Sequence, residues 1–287
     1  MKKELNNKYE IRLDFKRETE NPSRLFRAFA EMIESVNSLD FLIAETVNTS
    51  VKSKIVLDDI EKGSIIGRFW SALTINEDSK IDNSPDKKEI EEYIEESRAE
   101  SLKFISEQKS SVEDLDKLAD NLKKIAEEKS LSDSFNYAEP DILKLAKTIN
   151  KINDSTQELN QDESFELKSN SKTIKNIKSG TDKIDIDAVE NALTENEIIN
   201  ETEMIYLIKK PDFLGDSAWS FKHGNKSASI KISHSSWLEE FHSGKIVVVP
   251  GDSLKVMVKQ TSKYNTNGYL ISDKKEIIEV IDVIHNN

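Results

Sequence analysis

Apolar positions along the chain change period several times, and each change marks an element. Near the start, Ile11, Leu13 and Phe15 alternate with charged residues, the period-two pattern of a strand with one buried face. Asn21-Pro22-Ser23 then opens a stretch in which Leu25, Phe26, Phe29, Met32, Ile33 and Val36 recur at spacings of three and four, so the spacing predicts an amphipathic helix entered through proline. Residues 54–60 and 65–73 read as two further strands joined by a turn at Lys62-Gly63, although Phe69, Trp70 and Leu73 also suit the start of a helix. The first unit is therefore expected to be β-α-β-β, one helix on a small sheet.

Beyond a polar stretch at 76–88, read as an exposed linker, the period becomes helical. Ile90, Tyr93, Ile94, Leu102 and Ile105 mark one helix, and Val112, Leu115, Leu118, Leu122 and Ile125 mark a second with a cleaner seam. A third opens at Pro140 and runs to Ile149. Residues 164–168 alternate as a single strand, 170–185 read as loop, and 186–193 as a short helix.

The remaining residues return to period two. Strands are expected at 204–210, 219–223 and 227–232, a helical turn at 235–241, and strands at 254–263 and 269–284, the last bent or split. Three strands, a helix and two strands is the order of an OB-fold. The β-branched run Ile246-Val247-Val248-Val249 reads as an additional strand that this order does not accommodate, and the turns at Pro250-Gly251-Asp252 and Asn265 to Gly268 also suit an SH3-like barrel. The expected class is α+β, with a small N-terminal β-α-β-β domain at 1–75, an acidic helical middle at 76–185, and a small C-terminal β-barrel, OB-like or SH3-like, at 186–287.

Charge sharpens this division. The chain carries a formal net charge of -13, yet residues 201–287 hold eleven acidic and eleven basic side chains, so the deficit lies entirely upstream. That balance disfavours a protein that coats nucleic acid, which needs clustered Lys and Arg, without excluding a local basic groove. The chain has no cysteine, which excludes disulfides, thiolate metal sites and a cysteine nucleophile. It shows neither a secretory signal nor an apolar run long enough to span a bilayer, so a cytoplasmic protein with no membrane partner is expected.

Candidate chemistry is sparse. His223, His234, His242 and His285 lack metal-ligand spacing. Asp58, Asp59 and Glu61, and separately Asp182, Asp185 and Asp187, are acidic clusters better suited to capping and solvating turns than to holding calcium. Gly63-Ser-Ile-Ile-Gly67-Arg68 lacks the lysine and spacing of a phosphate loop, and Ser64, Ser217 and Ser235 have no nucleophile context. No cofactor, metal or catalytic residue is expected. The strongest ligand- or partner-binding set is Trp219, Phe221, Lys222, His223, Trp237 and Lys255, with Tyr264 and Tyr269 flanking a turn. On an open barrel such aromatics beside lysine would stack bases. Alternatively Trp219, Phe221 and Trp237 fill the barrel, since aromatics on alternating strands usually point inward.

The segments 209–224, 237–241 and 250–254, together with 10–17, 22–28 and 58–64, resemble a family of uncharacterised bacterial proteins associated with mobile elements and phage defence. The resemblance covers both ends but not the middle, and implies one two-domain protein without assigning any residue a role. Two functions are consistent with these features. One is a non-enzymatic binding or assembly component of an antiviral system, acting through a protein partner or self-association with the barrel as its recognition module. The other is a nucleic-acid or nucleotide sensor using an OB-like face.

Overall fold

The computed structural model describes residues 2–16, 19–47, 52–60, 65–76, 87–131, 137–169, 172–180 and 182–285. The chain divides into two compact units, Met1–Val189 and Glu190–Asn287. The expected turn at Lys62-Gly63, with Glu61 and Ser64, and most of the expected linker lie outside the described residues, as do the side chains of Asp58, Asp59 and Trp70.

The first unit is built on β1 (Lys2–Asp14), α1 (Ser23–Val47), β2 (Lys52–Ile60), β3 (Ile65–Asn76), α2 (Lys87–Ser106), α3 (Val112–Glu128), α4 (Ile142–Ser155), β4 (Ser164–Ser169) and β5 (Thr173–Ile177). Its strands form one antiparallel sheet in the order β2-β3-β1-β4-β5. Alternation on β1 places Tyr9, Ile11 and Leu13 on one buried face, in register with Phe69, Gly67 and Ile65 of β3 and with Ser169, Leu167 and Phe165 of β4. Phe29 of α1 lies against this face, 6.3 Å from both Phe69 and Phe165 between ring centroids. Of the expected stripe of α1, Leu25, Met32 and Val36 are buried and Phe29 and Ile33 half-buried, whereas Phe26 is 63% exposed and lies off the core face.

Two charged pairs fasten the helices. Arg98 of α2 forms a bidentate pair with Asp40 of α1, at 2.5 and 2.8 Å, with both side chains almost fully buried and the guanidinium stacked 4.6 Å from the Tyr9 ring centroid. At the start of α1, Arg24 forms a second bidentate pair with Glu163, at 2.5 and 2.6 Å, beside the Asn160 backbone N–H donating to the same carboxylate. α3 and α4 begin at side-chain caps, where Ser111 accepts from the N–H of Asp114 and Asp141 from that of Lys144.

One expectation needs correction here. Residues 170–185 are not all loop, because β5 pairs with β4. Only Ile177 of β5 is buried and the register is irregular, so this edge strand shows no alternation. Gly67 belongs to no phosphate-binding turn and lies inside β3 opposite Ile11. A Cβ there would meet the Phe69 ring at 2.5 Å, so glycine is what lets that ring close over the strand.

Beyond α5 (Ile186–Leu193) come β6 (Asn196–Lys210), β7 (Trp219–His223), β8 (Lys226–Ile232), α6 (Ser235–His242), β9 (Ser253–Tyr264) and β10 (Leu270–Ile284). The strands of this second unit close into a barrel, β10-β8-β7-β6-β9, with β6 completing the circuit against β9. All pairings are antiparallel except β8 with β10, which run parallel at Lys231-Ile232 and Glu276-Ile277. β10 carries three irregularities against β9, consistent with the bent strand expected from its length.

The run Ile246 to Val249 is not a strand. Ile246 and Val248 pack against the barrel core while Val247 and Val249 are exposed, but the run joins no ladder. Its alternation is real, yet its backbone bonds are local: the Ile246 N–H donates to the Glu240 carbonyl and the Val249 N–H to the Asp252 carboxylate. β6, β9 and β10 also continue past the barrel as a three-stranded arm, in which residues 196–203 of β6 are mostly exposed on both faces.

Candidate functional site

The barrel core is aromatic. Trp219 and Phe221 on β7 point inward and are 1% and 0% exposed, while Trp237 on α6 is 8% exposed. Trp219 stands edge-on to Trp237 at 5.8 Å and lies 4.9 Å from Phe241, and Trp237 stacks nearly parallel to Phe241 at 5.6 Å. Filling the barrel with these rings removes them from any stacking platform on its surface. The structure therefore brings Trp219, Phe221 and Trp237 together as packing.

The other expected residues separate. Lys222 is exposed on the outer face of β7. His223 is exposed at the strand end, its Nδ1 3.1 Å from the Ile205 carbonyl and its ring edge-on to Tyr206. Lys255, on β9, pairs with Glu203 at 2.9 Å. Tyr264 and Tyr269 flank the β9–β10 turn at the tip of the arm, where Tyr269 is 71% exposed. Each histidine has its own hydrogen-bond partner: His234 accepts from the Val280 N–H, His242 lies 3.2 Å from the Asp212 carbonyl, and His285 lies 2.9 Å from Asp252. Among the described residues no group of three or more acidic or histidine side chains could hold a metal ion. Asp185 caps α5, accepting from the N–H groups of Asp187 and Ala188. Ser217 donates its hydroxyl to the Asp212 carboxylate within the loop whose Asp212 carbonyl His242 approaches.

What the barrel shows to solvent is a different set. Register pairs Ser220 with Ser229 and Lys222 with Ser227 on the side opposite the aromatic core. Lys209 of β6 reaches across and donates to Ser227 at 3.1 Å, and Lys231 of β8 pairs with Asp216 of the β6–β7 loop at 3.2 Å. The outer face of β7 and β8 is thus a floor of short hydroxyl side chains edged by lysine.

The β6–β7 loop at one end of this face is tightly built. The Asp212 carboxylate accepts from the N–H groups of Leu214, Gly215 and Ser217 and from the Ser217 hydroxyl. Those bonds, the Ser217 hydroxyl first, hold the acid far below the usual carboxylate range. The scaffold displays Phe213, 61% exposed and stacked 5.6 Å from Phe241, and Leu214, 97% exposed. The sequence leaves 211–217 between two expected strands and singles out neither residue, because an apolar loop residue carries no periodicity to say which way it points.

No family model matches the chain, and no curated protein or solved structure matches it significantly.

In the first unit, a groove of about 580 Å³ lies between α1 and α4, lined by Asn37, Phe41 and Glu45 on one side and Lys144, Lys147 and Lys151 on the other. It is open, and its closest charged pair, Lys144 with Glu45, is 3.8 Å apart.

Proposed function

We propose that the chain is a non-enzymatic binding or assembly component whose C-terminal barrel is an OB-type recognition module. The observation that carries the reading is the barrel's connectivity. Its first strand pairs with the second and closes against the fourth, the third runs parallel to the fifth, and the helix falls between the third and fourth. That arrangement supports an OB-fold over an SH3-like barrel, and OB-folds present the face of their second and third strands, with the adjoining loops, to ligands. Here that face is β7 and β8, flanked by the loop bearing Phe213 and Leu214.

Two further features support binding over catalysis. The polar groups of the face are hydroxyls and lysines, its nearby Asp216 carboxylate is engaged by Lys231, and among the described residues no metal-ligand set stands beside them. Along β6, residues 196–204 pair only with β9, leaving a long strand edge with no ladder partner among the described residues. Such an edge favours association with another chain, and a partner in a bacterial antiviral system is the setting that the family resemblance implies.

The test is turnover by the purified intact chain. Incubation with nucleotides and with nucleic acid is expected to leave both unchanged. Hydrolysis abolished by a single substitution that leaves the far-ultraviolet circular dichroism intact would overturn the reading in favour of an enzyme.

A further inference from the structure

We infer that the outer face of β7 and β8 binds single-stranded nucleic acid, with Lys209, Lys222 and Lys231 on the phosphates and Phe213 stacked on a base. The inference rests on the recognition reading above and names its ligand. Three observations carry it.

The first is chemical composition. Ser220, Ser227 and Ser229 present hydroxyls between the lysines, and hydroxyl plus ammonium is the donor set that phosphate oxygens accept from. Short side chains along the middle of the face leave room for a strand to lie between the longer lysines. The lysines are available: Lys222 forms no ion pair among the described residues, and the Lys231–Asp216 pair is exposed, with both side chains more than half in solvent, so it offers little resistance to exchange.

The second is the aromatic. The barrel's tryptophans are unavailable for stacking, whereas Phe213 is 61% exposed on a loop fixed by four hydrogen bonds to Asp212. The same loop touches the lysine face through Asp216 and Lys231. A preorganised ring on a loop joined to a cationic face is a pairing that tracks a single strand, since every base offers a π-face. A duplex conceals its bases and would leave that ring only its contact with Phe241.

The third is where the acid lies. The net charge of -13 comes from upstream of residue 201. Residues 201–287 balance eleven acidic against eleven basic side chains, so the segment that carries this face holds no net negative charge to repel phosphate.

The experiment is a fluorescence anisotropy titration of labelled oligothymidylate with the intact chain between about 50 and 200 mM salt. Binding is expected at the lower salt, weakening with a log–log slope of about −2 if the three lysines each neutralise one phosphate of a single strand. Lys222→Glu with Lys231→Glu is expected to weaken binding at least tenfold and flatten that slope, whereas Lys147→Glu on α4 changes neither. Phe213→Ala is expected to lose roughly tenfold with the slope unchanged, as the loss of one stacked base requires. Tryptophan emission and circular dichroism of each variant report whether the barrel remains folded.

No binding at the lower salt overturns the assignment and leaves the non-enzymatic reading to its own turnover test. Equal affinity for duplex DNA or inorganic polyphosphate also overturns it, as does insensitivity to Phe213→Ala.

Discussion

Asp40→Ala gives the most quantitative test of how the first unit is held together. Asp40 and Arg98 are 0% and 1% exposed in their side chains and are joined by two hydrogen bonds, so removing the carboxylate leaves a guanidinium buried without its counter-charge. Breaking a buried pair in this way costs about 3–5 kcal/mol. With a urea dependence of roughly 2 kcal/mol per molar, the midpoint is expected to fall by roughly 1.5–2.5 M. The assay separates the two units. α1 to α4 dominate the helical circular dichroism, whereas two of the three tryptophans, Trp219 and Trp237, lie in the barrel. The helical transition should move while the fluorescence transition stays close to that of the wild type. Asp40→Leu combined with Arg98→Met should recover most of the loss, since a buried pair replaced by apolar side chains of similar volume is often neutral or stabilising. A midpoint shift below roughly 0.5 M for Asp40→Ala, about 1 kcal/mol on the same slope, would refute the reasoning.

Other consequences follow from single residues. Gly67→Ala forces a Cβ to within 2.5 Å of the Phe69 ring and should destabilise the first unit by about 1–3 kcal/mol, measured by urea unfolding, with Phe69→Leu in the same chain relieving part of it. Glu163 is held below the ordinary glutamate value of 4.5, first by the hydrogen bond from Arg24. Its folded value is depressed, so its contribution is present above 4.5 and fades as pH falls through the folded value. The stability gap between wild type and Glu163→Gln should therefore be constant near neutrality and shrink below pH 4.5. A gap that widens on acidification would contradict that assignment.

The elements legible in the sequence were those with one face in water and one in a core. Ile11 and Leu13 on β1, Leu25, Met32 and Val36 of α1, and Leu115, Leu118 and Leu122 of α3 announce themselves by period, and each is buried. The three strands, helix and two strands of the barrel were legible for the same reason. Period fails where both faces meet the same environment. Residues 196–203 are mostly exposed on either side, so the arm of β6 left no alternation to read. Period also says nothing about pairing, which is why Ile246 to Val249 resembled a strand while packing as a cover.

The candidate site was less legible. Trp219 and Phe221 stood out by residue type, but their direction depends on the register that sets Trp219 opposite Ile230 and Ser220 opposite Ser229. Phe213 and Leu214 became visible only through the bonds that Asp212 makes, and those depend on the local turn geometry.

The central claim, that recognition belongs to the barrel and to its β7–β8 face, is tested most directly by hydrogen–deuterium exchange of the intact chain with and without oligothymidylate. Slowed exchange is expected only at residues 207–232, covering the end of β6, the Phe213 loop and β7 with β8. Slowed exchange confined instead to α1 and α4, or no change at an oligothymidylate concentration that saturates the anisotropy signal, would contradict it.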